Sequence, residues 1–159
     1  MSRPRKQARG AAVGQPTREC SRVIVTAIAA VLAVVGLGDA TYLTVHALTG
    51  EAVVCGGSAS CSDVLTSTYA RIAGVPVAAF GMVAYFAAFA CATFAAFGAV
   101  RAWRWFSLIV LVMFAGTLWF LYLQVFVLHA YCRYCLFSAA LTFLLAGIAV
   151  ATPSQARPA

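Results

Sequence analysis

Apolar positions fall into four long runs along this chain, and most polar residues gather between them. Residues 1–22 (MSRPRKQARGAAVGQPTRECSR) are polar, carry Pro and Gly and have no apolar period, which predicts a disordered tail. The first run covers about Val23–Leu48. A basic leader before VIVTAIAAVLAVVGLG has the form of a signal peptide, yet apolar character resumes through TYLTVHAL, which favours an uncleaved anchor. Residues 49–74 form one outer loop, TGEAVVCGGSASCSDVLTSTYARIAG, whose Gly- and Ser-rich first half reads as irregular. From Ser62 or Asp63, either a good N-cap, Leu65, Tyr69 and Ile72 recur at i, i+4 and i+7. That spacing predicts a short amphipathic helix on the membrane surface or over the mouth of the bundle. Gly74 is expected to end it and Pro76 to open the next span. The remaining runs are about Pro76–Val100, Trp105–Leu128 and Cys132–Ala151, with residues 152–159 as a second tail.

Roughly 20 apolar residues suffice to cross a bilayer, and each run meets that length. Composition agrees: 64% of the 159 residues are hydrophobic and 9% charged, against about 25% charged in soluble domains. The predicted fold class is an all-α integral membrane protein. It is a four-transmembrane-helix bundle with an extracytoplasmic loop and a short amphipathic helix capping one end. One membrane domain, residues 23–151, leaves room for no soluble domain of ordinary size.

Charge sets the orientation. Of the eleven Lys and Arg residues, Arg3, Arg5, Lys6, Arg9, Arg18 and Arg22 precede the first span. With Arg101, Arg104 and Arg157 they place nine on one side, and only Arg71 and Arg133 on the other. The positive-inside rule puts both termini in the cytoplasm and the long loop outside, as in a multi-pass protein of the inner (cytoplasmic) membrane. Trp103 and Trp105 suit the interface belt. The net charge of +7 is thereby accounted for, and no aromatic–basic interleaving points to nucleic acid.

The six cysteines gain meaning from these sides. Cys55 and Cys61 lie in the outer loop, and Cys132 and Cys135 open the fourth run. All four then face the oxidising compartment, the periplasm or exterior, where disulfides form and persist. Cys20 in the tail and Cys91 in mid-membrane read as a stray thiol and a small core residue. Three chemistries compete for the outer four: staples in a non-catalytic, disulfide-stapled scaffold, a four-thiolate zinc site, or thiol exchange. Against zinc, the C-x5-C spacing departs from the usual short knuckles. Against staples, a bridge within C-x-x-C closes too small a loop to restrain the unfolded chain. A helix N-terminal turn favours the thiolate, and Arg133 lies next door, which suits Cys132 to attack and Cys135, one turn deeper, to electron transfer. An acceptor meeting Cys135 at headgroup depth has to be lipid-soluble, and a quinone is the natural candidate.

Taken together, Cys55-x5-Cys61, the run CSDVLTSTYARIAGVPVAAFG, YLQVFVL and CRYCLFSA resemble the vitamin K epoxide reductase family, in its bacterial quinone-linked branch without a fused thioredoxin-like domain. The likeness covers about Val23–Ala151. It implies a four-helix bundle around a quinone (menaquinone, ubiquinone or a vitamin K-like one), capped by the outer loop. It also implies a relay from a separate thioredoxin-fold (DsbA-like) partner to Cys55, Cys61, Cys132, Cys135 and the quinone, with Ser67 as the family serine beneath the cap. Eukaryotic members carry a Tyr where this chain has Ala139 and use an Asn on the quinone oxygen, and this chain has no Asn. The resemblance therefore implies plain quinone reduction. The other four-span quinone-linked oxidase, the DsbB type, has its C-x-x-C in the first outer loop, the reverse of the order here.

Other candidates are weaker individually. Asp39 lies inside the first span, where an acid is a functional candidate by default; it would handle a quinone proton or anchor the outer loop. His46 and His129 sit near the outer interface as further proton donors or as solvated side chains. Tyr42, Phe80, Tyr122, Gln124 and Phe137 are candidates to line the quinone pocket, or ordinary bundle aromatics and core.

Overall fold

The computed structural model describes residues 15–50, 64 and 67–152. Four helices make the bundle: α1 Gln15–Thr49, α2 Val77–Ala96, α3 Val100–Tyr122 and α4 Arg133–Ala151. Each includes a stretch long and apolar enough to cross a membrane. α1 packs on α2 and α4, and α3 on the same two, so the helices close a ring with α1 across from α3. Large apolar side chains such as Val31, Phe86, Val112 and Val150 stay exposed on the flanks, the expected surface of a bundle solvated by lipid.

The core is built from small residues where α1 meets α2. Ala29, Ala33 and Ala40 share one stripe of α1, and Ala88, Ala92 and Ala95 share one of α2, all buried in the same cluster. Small side chains let membrane helices approach closely, since packing rather than water exclusion holds them together. At the end opposite the C-x-x-C, Trp103 stacks on Phe106 with ring centroids 4.7 Å apart. Its Nε1–H donates to the Thr152 carbonyl at 3.1 Å, tying the start of α3 to the end of α4. Arg22 donates through Nη2 to the Ala95 carbonyl at 3.2 Å, a cation on the last turn of α2.

Several boundaries differ from the pattern-based expectation. α1 begins at Gln15 rather than Val23, so residues 15–22 are helical; Pro16 falls in the first turn, where its missing N–H costs no bond. The α2–α3 turn is at residues 97–99, not 101–104. Ala99 N–H bonds the Phe94 carbonyl and Gly98 N–H that of Ala95, both at 3.1 Å, with Gly98 at φ +95°. This is a Schellman stop, set by the glycine. Trp103 is 1% exposed, a core residue rather than an interface anchor, whereas Trp105 is exposed.

The expected amphipathic helix does not run to Ile72. Thr68–Ala70 is a single 3-10 turn, followed by two short strands, β1 Arg71–Ile72 and β2 Val75–Pro76. They pair antiparallel, Arg71 with Pro76 and Ile72 with Val75. Ala73 and Gly74 both have positive φ, 51° and 83°, the two-residue turn that matches strand twist. Tertiary pairing at the head of α2 overrides the helical period. The expected cap at Ser62 or Asp63, and Leu65, lie outside the described residues.

Candidate functional site

At its C-x-x-C end α3 widens into a π-helical turn, Leu123–Val127, of the kind often found at functional sites. Leu128 N–H returns to the Leu123 carbonyl at 2.8 Å, and Ala130 N–H to that of Gln124 at 3.2 Å. The turn buries Gln124, 2% exposed. Its side-chain Oε1 accepts the Cys132 N–H at 3.2 Å. Gln124 thus ties the linker into α4 to the end of α3, and His129 within that linker takes φ +49° and stays exposed.

Cys132 is the N-cap of α4 and fully buried. It clusters with Ala130 and with Val64 of the loop. Its sulfur takes a hydrogen bond from the Cys135 thiol and faces the N–H groups of Tyr134 and Cys135. The thiol of Cys132, which precedes the span, is held below its ordinary range, first by the Cys135 thiol and then by those N–H groups, against burial. Arg133 is exposed and is not among the causes. Tyr134 lies against Tyr42 of α1, ring centroids 5.3 Å apart, and Tyr42 meets His46 at 4.4 Å. An aromatic row thereby joins the C-x-x-C to the first helix.

Below Cys135 lies a cavity of about 820 Å³, walled by all four helices, α1 through Ala40, Leu43 and Ala47, with Val64, Ser67 and Tyr69 from the loop. Its lining is mostly apolar; Cys135, Gln124, Ser67, Tyr85, Ser138 and Thr142 are among its polar points. Phe80, Val83, Leu108 and Val112 line it and are also exposed on the flank, so it opens sideways between α2 and α3 where lipid tails would lie. Among the described residues no cluster could hold a metal ion.

The candidates separate clearly. Cys135, Gln124, Ser67 and Phe80 lie in the cavity wall. Tyr122 and Phe137 do not: both are exposed on the bundle flank, and Tyr122 stacks with Trp119, ring centroids 5.9 Å apart. Tyr42 and His46 stand outside the wall in the aromatic row, and His129 outside it in the linker. Asp39 also lies outside the wall but is near enough to Tyr85, Cys132 and Cys135 to interact with each electrostatically. Its Oδ2 is buried and has no hydrogen-bond partner among the described residues. Ser67 Oγ donates to the Val64 carbonyl at 2.8 Å. Cys55 and Cys61 lie outside the described residues. Cys91 is half-buried beside the alanine core.

The sequence pattern missed a hydroxyl cluster formed by Tyr85, Ser138 and Thr142. Tyr85 Oη donates to the Ser138 carbonyl at 2.9 Å, and lies 3.0 Å from both Ser138 Oγ and Thr142 Oγ1. One signal was present: Ser138 and Thr142 are spaced i, i+4. A Cβ at Gly36 would overlap the Tyr85 ring.

The family model for vitamin K epoxide reductases matches residues 27–150. The chain belongs to the vitamin K epoxide reductase family. As a member it is a multi-pass membrane thiol oxidoreductase linked to quinone. The matched region takes in all of the cavity wall and both C-x-x-C thiols.

Proposed function

We propose that this chain oxidises an extracytoplasmic dithiol protein of thioredoxin fold and reduces a membrane quinone, as a member of the bacterial branch. Electrons enter at Cys55, pass to Cys61 and Cys132, and leave from Cys135 to the quinone. Each exchange forms one disulfide and breaks another. At the last step the Cys132 and Cys135 thiols lose two electrons and two protons, and the quinone becomes quinol. Both termini are cytoplasmic and the thiols face the periplasm or exterior, in keeping with nine cations against two.

One observation carries the reading. Cys135 lies in the wall of an apolar cavity open to the membrane, while Cys132, hydrogen-bonded to it, lies under the loop that bears the other two thiols. Val64, packed on Cys132, follows Cys61 by three residues. The residues present fit a quinone: an apolar slot for ring and tail, hydroxyls and an amide for its oxygens, and a thiol beside the ring. Gln124, Ser67 and Phe80 are the quinone contacts proposed from the original candidates, with Asp39 as the acid nearest the thiol pair.

The test is reconstitution of the full chain in lipid with quinone and a reduced thioredoxin-fold protein. Quinone is consumed in step with disulfide formed, and Cys135→Ala stops it. Unchanged turnover in that variant sinks the assignment. Fixed disulfides that ignore the quinone pool would establish a stapled scaffold instead.

A further inference from the structure

The cavity contains a donor that family resemblance did not supply. Tyr85, Ser138 and Thr142 bring three hydroxyl protons together in its wall. Thr142 Oγ1 returns its proton to the Ser138 carbonyl at 3.0 Å, so that carbonyl is satisfied without Tyr85. The Tyr85 oxygen can accept from Ser138 Oγ, at 3.0 Å. The Tyr85 proton, donated to that carbonyl at 2.9 Å, can then turn toward a ligand while every oxygen in the cluster stays hydrogen-bonded. Tyr85 is 2% exposed, and its ring is clamped against Gly36, so the hydroxyl is fixed in place. Ser138 lies one turn below Cys135 on α4, about 4.5 Å along the axis. A ring stacked beside Cys135 would therefore direct an oxygen toward this cluster.

We propose that the Tyr85 hydroxyl, held by Ser138 and Thr142, donates a hydrogen bond to one carbonyl oxygen of the bound quinone. The proposal rests on the quinone reading of the cavity and names the group that takes the place of an Asn in a chain that has none. Negative charge builds on that oxygen as electrons arrive, and a preoriented donor in an apolar site stabilises it strongly. Tyr85 keeps its proton overall: both protons gained by the quinol are those released by the Cys132 and Cys135 thiols.

The test uses the full chain in lipid nanodiscs, dithiothreitol as reductant, and a polyprenyl naphthoquinone labelled with 13C at one carbonyl at a time. In the infrared difference spectrum of the wild type, one carbonyl band lies below its position in lipid alone. Tyr85→Phe moves that band back, leaves the other in place, and lowers kcat/KM for quinone about 100-fold. Ser138→Ala gives a smaller shift in the same direction. The proposal is overturned if Tyr85→Phe keeps the shifted band, whatever its turnover, because lost activity with an intact band means that Tyr85 only ties α2 to α4. A wild type that neither binds nor reduces the quinone overturns the quinone reading itself.

Discussion

Cys132 owes its reactivity to where one residue places it. As the N-cap of α4 it faces backbone N–H groups and the Cys135 thiol together, which favours its thiolate. A lowered pKa keeps the thiolate populated as pH falls, and its reactivity is lost only below that lowered value. In the reduced protein, the rate of alkylation by a small reagent should inflect below the ordinary thiol value of about 8.5. Restricted access to Cys132 slows the reaction at every pH without itself moving the inflection. Cys135→Ala removes the largest cause, so the inflection should move up. An unmoved inflection would mean that the neighbouring thiol is not responsible. Gln124 supports the same residue from behind. Gln124→Leu leaves the buried Cys132 N–H without its acceptor, which costs about 1–3 kcal/mol and should lower the thermal midpoint of the purified protein.

At the scale of elements, packing decided what the sequence pattern alone could not. The four spans and the position of the C-x-x-C at the head of the last one were readable, because apolar length is a property of single segments. The Tyr85 cluster was not, because its partners lie 53 and 57 residues away, and inward and outward faces of a lipid-solvated helix are equally apolar. Tyr122 and Phe137 were misplaced for the same reason. The Arg71–Pro76 hairpin was hidden by a helical period that two positive-φ residues interrupt. Gly36 and Gly38 offer a direct check of the packing. Gly36→Ala drives a methyl into the Tyr85 ring and should cost about 1–3 kcal/mol. Gly38, two residues on, has nothing within 4 Å of a would-be Cβ, and Gly38→Ala should hold or raise the midpoint through helix propensity. Equal effects on thermal unfolding would contradict the α1–α2 packing described.

The whole molecule is organised around depth. Thiols sit at one end under the loop, the hydroxyl cluster lies deeper, and the cavity flank between α2 and α3 opens to lipid. A quinone would enter from the bilayer and reach Cys135 without crossing water, while the dithiol partner would work from the other side of the same thiol pair. Gly116 tests this separation. It lies on the cavity wall, and a Cβ there would meet nothing within 4 Å, so Gly116→Phe adds a ring at the slot from a position that accepts a side chain. The variant should raise KM for a polyprenyl quinone by about tenfold or more, since displacing well-buried apolar contacts worth ~1.4 kcal/mol is enough for that factor. Oxidation of its Cys132–Cys135 pair by diamide, a small oxidant that needs no slot, should proceed at the wild-type rate. If both reactions slow together, the ring has disturbed the thiols rather than the path. If neither slows, quinone reaches Cys135 by another route.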